Sequence, residues 1–173
     1  MKIFLIGYRC TGKSTIGRRL SSMLGFSFLD TDKIIETRQS QTISRFVEKN
    51  GWDDFRKIEK QILMETVDVK NYVIATGGGI ILDPENLQFM KDNGTIVWLK
   101  APVKTIINRI KKDIRSSDLR PSLTGLTIED ETESVLNQRI PLYKRRADFE
   151  IDTSINDVYE IVQKIKRRLD HGW

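Results

Sequence analysis

The chain has 173 residues, of which 39% are hydrophobic and 31% charged, with a formal net charge of +5. This is the size of one compact domain with enough apolar material for a core, so we expect a single domain over residues 1–173. The apolar runs are too short for a signal peptide or a bilayer span, and a lone Cys10 excludes an internal disulfide, which together predict a cytoplasmic protein.

Short apolar runs alternate with helical spacing along the chain. In chain order, the predicted elements are strand 2–6, helix 13–24, strand 26–29, helical segments through the thirties and forties, helix 53–67, strand 72–75, helix 84–91, strand 95–99, helix 103–111, a long helix ending near 145, strand 148–151 and a final helix from 158. This alternation predicts an α/β fold, a three-layer sandwich with a central five-stranded parallel sheet.

Polar and glycine residues gather where predicted strands end. Gly7 follows the first strand, Asp30 and Asp32 follow the second, and Gly77–Gly79 follow the third. Ligands of parallel α/β sheets bind outside the carboxyl ends of the strands. We therefore expect these residues to form one site. The polar stretch 113–127 contains Pro and Gly and is predicted to be a mobile loop.

A phosphate-binding loop is predicted between the first strand and the first helix. The sequence reads Gly7-Tyr8-Arg9-Cys10-Thr11-Gly12-Lys13-Ser14 and matches G-x-x-x-x-G-K-[ST] in its required context. Its N–H groups and the helix N-terminus would bind phosphate, Lys13 would bridge the terminal phosphates, and Ser14 would ligate Mg²⁺. The predicted ATP-binding residues are Gly7, Cys10, Thr11, Gly12, Lys13, Ser14 and Thr15.

Cys10 has two interpretations: a reactive thiol at a helix N-terminus, or a small residue at a variable position, which we favour.

The class of phosphate-loop protein follows from what the sequence lacks. It has no N-K-x-D guanine motif, and no apolar strand ends in a Walker-type aspartate. A kinase of small molecules remains.

The motifs resemble those of the shikimate kinase family, in the same order and over almost the whole chain. They are the phosphate loop with its continuation through Leu20, Asp30-Thr31-Asp32, Gly51-x-x-x-Phe55-Arg56-x-x-Glu59, Ala75-Thr76-Gly77-Gly78-Gly79, Arg120-Pro121, and Arg139-Ile140-Pro141-Leu142-Tyr143. The resemblance implies a fold like that of nucleoside monophosphate kinases. It also implies transfer of the ATP γ-phosphate to the 3-hydroxyl of shikimate, giving shikimate 3-phosphate and ADP on the chorismate route to aromatic amino acids.

The resemblance also implies roles for residues of the acceptor site. Arg56 and Arg139 would bind the shikimate carboxylate, to which a guanidinium fork is suited. Asp32 would be the base or the group that orients the hydroxyl, and Gly77, Gly78 and Gly79 would allow the backbone to approach the substrate closely. The substrate-binding segment would cover about 33–60. Glu59, one turn after Arg56, would orient that arginine.

The metal and lid residues are likewise implied by the resemblance. Asp30 would hold Mg²⁺ through water, beside Ser14. Arg120, in a lid over about 113–127, would close over ATP and stabilise the transferring phosphate together with Lys13 and Mg²⁺. The chain departs from the family pattern at Trp52, where Glu is usual, at Ser122 in the lid, where Leu is usual, and at Tyr8, Arg9 and Cys10, where small residues are usual.

Several alternatives remain open at the level of sequence. Arg56 with Glu59 is also an ordinary surface helix pair, Asp30 is also a helix cap, and Arg120 before Pro121 is also plain loop chemistry. The acceptor could instead be gluconate or a nucleoside monophosphate, and the chain could be a regulatory module without catalysis. The basic run Lys164–Arg168 is interpreted as a solvated helix face. We expect ATP and shikimate as partners of a monomer, with no nucleic acid or membrane.

Overall fold

The structure is a computed structural model that describes residues 1–113 and 125–172. Its strands are β1 (Lys2–Ile6), β2 (Ser27–Asp30), β3 (Tyr72–Ala75), β4 (Thr95–Lys100) and β5 (Phe149–Asp152). Its helices are α1 (Lys13–Leu24), α2 (Thr31–Gln39), α3 (Ile43–Met64), α4 (Pro84–Asn93), α5 (Val103–Lys112), α6 (Ile128–Arg146) and α7 (Val158–His171), with 3₁₀ turns at Glu65–Asp68 and Ile80–Leu82.

The strands form one parallel sheet of order β2-β3-β1-β4-β5, as the alternating pattern predicted. The central strand β1 is completely buried at Ile3, Phe4, Leu5 and Ile6. Ile3 and Leu5 pack against α1 and α7, whereas Phe4 and Ile6 pack in a second cluster with residues of α3, α4 and α6. Because successive side chains of a strand point to opposite faces, this division places helices on both faces of the sheet.

The register of the sheet brings the ends of three strands together. Ala75 of β3 is the partner of Leu5 in β1 and of Asp30 in β2. The segments that follow these strands therefore begin at the same edge, which explains why the phosphate loop, Asp32 and the three glycines meet. β2 ends one residue later than predicted, so Asp30 is its last residue and also the N-cap of α2.

Helix α3 differs from the predicted helix 53–67. It begins at Ile43, capped by the Thr42 side chain, and ends at Met64, and the residues that follow form a 3₁₀ turn. Gly51 interrupts it with φ 82° and ψ 170°. A residue without Cβ adopts this positive φ readily, so the break separates two helical pieces whose apolar faces still pack in one cluster.

Within the described residues, no helix is long and apolar enough to cross a membrane.

Candidate active site

The phosphate loop lies between β1 and α1, where the sequence predicted it. Gly7 and Gly12 have φ of +142° and +93°, values that favour glycine. A Cβ at Gly7 would overlap the carbonyl oxygen of Leu99 in β4. The Thr11 hydroxyl donates to the Tyr8 carbonyl at 2.8 Å and closes the turn. The loop therefore leads directly into the N-terminus of α1, which begins at Lys13.

Lys13 lies across its own loop. Its ammonium donates to the carbonyl oxygens of Gly7, at 2.8 Å, and Tyr8, at 2.7 Å. The residue is buried. Because a buried ammonium needs acceptors, these carbonyls hold the charge beside the N–H groups of the loop.

Two oxygen groups meet at the entrance to the loop. The Ser14 hydroxyl donates to Asp30 Oδ2 at 2.5 Å, while Asp30 Oδ1 accepts from the Lys33 backbone N–H at 3.4 Å. The helix-cap interpretation of Asp30 is thus correct, and it leaves the other carboxylate oxygen beside Ser14. Hydroxyl and carboxylate oxygens suit Mg²⁺, which keeps several waters. Within the described residues, no group of three or more His, Cys, Asp or Glu is placed to hold a metal ion.

A second cavity lies beside the loop, and we call it the acceptor pocket. It is lined by Tyr8, Arg9, Asp32, Ile43, Trp52, Phe55, Arg56, Glu59, Gly77, Gly78, Gly79 and Arg139. All the predicted substrate-binding residues are therefore brought together. Asp32 also lines the neighbouring cavity, together with Lys13, Ser14 and Asp30. Asp32 consequently lies where the acceptor pocket meets the cavity that contains Lys13, Ser14 and Asp30.

Arg56 is held from two sides. Its Nη1 donates to Glu59 Oε2 at 2.5 Å, which confirms the predicted pairing. Its guanidinium carbon lies 5.3 Å from the Trp52 ring centre and 5.2 Å from that of Phe55. These rings and the carboxylate restrict the guanidinium to one part of the pocket.

Glu59 is the most deeply buried charged group near the pocket. None of its surface is exposed, and Oε1 has no hydrogen-bond partner among the described residues. Burial raises the pKa of Glu59 to about 7, although Arg56 opposes the shift, and nearby Asp32 adds to it. Glu59 therefore titrates near neutral pH.

Each of the three glycines is crowded by a different group. A Cβ at Gly77 would overlap Glu59 Oε1, and a Cβ at Gly79 would overlap the Arg56 guanidinium. At Gly78 the Cβ would lie 3.3 Å from the Gly7 carbonyl oxygen. The close approach of these glycines to the substrate stays a prediction, and the structure adds that their lack of a side chain leaves room for Glu59, Arg56 and the Gly7 carbonyl.

Gly78 is held from helix α6. Its carbonyl oxygen accepts from Tyr143 Oη at 2.6 Å and from Arg139 Nη1 at 3.2 Å. Tyr143 is completely buried and stacks on Trp98, with ring centres 5.6 Å apart. Burial raises the pKa of Tyr143, so its hydroxyl remains a donor. Sequence reasoning did not assign Tyr143 a role, although its position one turn after Arg139 was a signal.

A further cavity also borders the phosphate loop. It is lined by Cys10, Thr11, Gly12, Thr15, Ile16, Arg109, Asp113, Thr153, Asn156, Asp157, Val158 and Ile161. Arg109 donates to the Thr153 carbonyl at 2.6 Å and to the Cys10 carbonyl at 3.3 Å. For the adenine contacts, sequence reasoning pointed only to Arg109 and to the turn near Ser154, without naming Thr153 or Asn156, because a turn after a strand carries no motif. Arg120 and most of the predicted lid lie outside the described residues.

Comparison with known proteins gives a consistent family. The family model described as shikimate kinase matches residues 9–170. A shikimate kinase of Syntrophus aciditrophicus is 40% identical, with 96% of this chain and 89% of the relative covered. The structure of an Acinetobacter baumannii shikimate kinase in complex with shikimate superposes with a TM-score of 0.90 at 36% identity, covering 97% of this chain and 92% of that one. A deoxyadenosine kinase of M. mycoides shares the fold alone, with a TM-score of 0.66 at 19% identity, covering 98% and 100%.

Proposed function

The chain belongs to the shikimate kinase family, and on that premise we propose how its own residues carry out the reaction. The protein is an ATP-dependent kinase that phosphorylates shikimate. One observation supports the placement of the chemistry above all others. Asp32 lines both the acceptor pocket and the cavity that contains Lys13, Ser14 and Asp30. A hydroxyl bound at Asp32 would therefore face the phosphate to be transferred.

The acceptor would bind through opposite charges. The shikimate carboxylate would accept hydrogen bonds from Arg56 and Arg139, both of which line the pocket. Arg139 would exchange part of its contact with the Gly78 carbonyl for this carboxylate, while Tyr143 keeps the carbonyl satisfied. The ring hydroxyls would face Asp32 and the backbone of Gly77–Gly79.

The donor would bind at the phosphate loop. The N–H groups of residues 10–15 would face the phosphates of ATP, and Lys13 Nζ would exchange a loop carbonyl for a terminal phosphate oxygen. Ser14 and Asp30 would hold Mg²⁺, which when bound offsets the negative charge of the phosphates. Arg109 and Thr153 would border the adenine. Arg120, if it acts as the family resemblance implies, would add a cation from the lid.

The reaction is then an in-line displacement. Asp32 accepts or orients the proton of the 3-hydroxyl, that oxygen forms a bond to the γ-phosphorus, and the bond from phosphorus to the ADP oxygen breaks. No covalent enzyme intermediate is needed, because holding the two substrates in line supplies most of the effect. We further propose that residues 1–173 act as one domain and as a monomer in the cytoplasm, with residues 33–60 as the substrate-binding segment.

The test is release of ADP from MgATP with shikimate, beside quinate, gluconate and nucleoside monophosphates at equal concentration. We expect strong release with shikimate alone, and a product phosphorylated at the 3-hydroxyl by NMR. Release with another acceptor instead would identify that compound as the substrate. It would also remove the argument that Arg56 and Arg139 bind the carboxylate of shikimate. ATP binding without release for any acceptor would favour a regulatory module.

A further inference from the structure

Arg9 belongs to the phosphate loop by sequence, but it lines the acceptor pocket. Its backbone nitrogen would lie 3.6 Å from a Cβ at Gly78. Arg9 therefore adjoins the turn of Gly77, Gly78 and Gly79, which we call the glycine turn. It shares the pocket lining with Arg56 and Arg139. Three guanidinium groups thus surround a cavity whose acidic lining residues are Asp32 and Glu59.

The Arg9 side chain is anchored rather than solvated. Its Nη2 pairs with Glu131 Oε1 at 2.5 Å, and the two side chains are 11% and 1% exposed. Glu131 lies in the first turn of α6 and is not among the residues that line the pocket. The guanidinium carbon lies 5.6 Å from the Tyr8 ring centre. The ion pair therefore fixes the position of the guanidinium at the edge of the pocket.

The ion pair leaves hydrogen-bonding capacity on Arg9. A guanidinium has five N–H donors in a rigid fork and no acceptor. Arg9 Nε is buried and has no hydrogen-bond partner among the described residues. A buried donor without a partner is costly, and the cost is removed when a ligand supplies an acceptor. A carboxylate is the group that matches a guanidinium fork best.

We propose that Arg9 is a third carboxylate-recognising cation of the acceptor pocket and a determinant of specificity for anionic acceptors. This inference rests on the proposed function. The phosphate loop would then contribute a residue to acceptor binding as well as to ATP binding, and Glu131 would act as a positioning residue that holds Arg9 in place. A purely structural interpretation also exists, in which the ion pair only fastens the phosphate loop to α6.

The two interpretations differ in what the two halves of the ion pair do. We would measure dissociation constants for shikimate, its methyl ester and ATP by calorimetry, using the wild type, Arg9→Gln and Glu131→Gln. Arg9→Gln should weaken shikimate binding about 10-fold or more, because a hydrogen bond to a charged group is lost. Its affinity for the neutral ester and for ATP should stay within about threefold of wild type, on the same reasoning.

Glu131→Gln is the matched control, since it breaks the same ion pair but keeps the cation. Its dissociation constant for shikimate should be lower than that of Arg9→Gln by about fivefold or more, because the Arg9 charge remains near the pocket. Equal losses in the two variants, or equal losses for shikimate and its ester in Arg9→Gln, would overturn the proposal. So would wild-type shikimate affinity in Arg9→Gln.

A folding defect would not leave the question open. If Arg9→Gln does not fold, Arg9→Lys keeps the charge without the fork, and it should lose affinity for shikimate more than for the ester; equal losses would overturn the proposal. Failure of the proposed function has a different signature. In that case the wild type itself would release no ADP with shikimate, whereas failure of this inference alone leaves wild-type turnover intact.

Discussion

Gly79→Ala tests the acceptor pocket with a single methyl group. The new Cβ would overlap the guanidinium of Arg56, which Glu59 holds in place. Gly79 has φ −100° and ψ 1°, which an alanine adopts without a left-handed strain. The backbone should therefore accept the substitution, and Arg56 should move because it is the end of a long side chain.

The expected loss follows from the contacts that Arg56 would make. Displacement removes a charge-assisted hydrogen bond to the shikimate carboxylate, and such bonds contribute about 1.5–3 kcal/mol. Since about 1.4 kcal/mol corresponds to a factor of ten, the KM for shikimate should rise about 10- to 150-fold. The KM for ATP should change by less than about threefold on the same scale, because the clash is confined to Arg56.

The assay is steady-state ADP release with each substrate varied in turn, together with a thermal melt. Gly78→Ala is the matched control in the same turn, because its Cβ would press on the Gly7 carbonyl oxygen at 3.3 Å and not on Arg56. It should therefore affect ATP more than shikimate. A Gly79→Ala enzyme with a wild-type KM for shikimate would show that Arg56 does not bind the carboxylate.

Three further substitutions test single groups of the site. Asp32→Asn should lower kcat by about 10²-fold or more with ATP affinity nearly intact, and near-normal turnover would remove Asp32 from the mechanism. Tyr143→Phe removes a donor to the Gly78 carbonyl and should cost about 1 kcal/mol of unfolding free energy and raise the KM for shikimate. Tyr72→Phe, at the first residue of β3, is its control. Equal changes in unfolding free energy and in the KM for shikimate in the two variants would contradict a role of Tyr143 in positioning Gly78. Burial raises the pKa of Glu59 from 4.5 to about 7, so the folded protein keeps a proton that the unfolded chain loses. The free energy of unfolding, measured by urea titration, should therefore fall as the pH rises from about 4.5 through 7. Glu59→Gln should flatten this dependence on pH, and parallel pH dependences of wild type and variant would refute the raised pKa of Glu59.

Features that depend on local sequence were predictable. The phosphate loop is set by Gly7, Gly12 and the adjoining strand and helix, all within one short segment. Arg56 and Glu59 are one helical turn apart, so their pairing follows from helix geometry. The sheet followed from the alternation of elements, because parallel strands need helical crossovers.

Contacts between distant segments were not predictable in the same way. Tyr143 and Gly78 are 65 residues apart, and Arg9 and Glu131 are 122 apart. Such pairs depend on the strand register and on the rotation of α6 about its axis, which the composition of either segment does not determine. The early start of α3 was missed for another reason: Gly51 breaks the apolar periodicity, so the part before it reads as a separate segment.

The glycine turn shows why the long-range contacts matter for the reaction. Its outer members are backed by acceptor-site groups, Glu59 behind Gly77 and Arg56 behind Gly79. Its middle member is fastened to α6 through its carbonyl and faces the phosphate loop with its α-carbon. A Cβ at Gly77 would press on Glu59, and a Cβ at Gly79 would press on Arg56. Their lack of a side chain, rather than their backbone conformation, is what the three glycines contribute here, since the φ of none of them lies in the left-handed region.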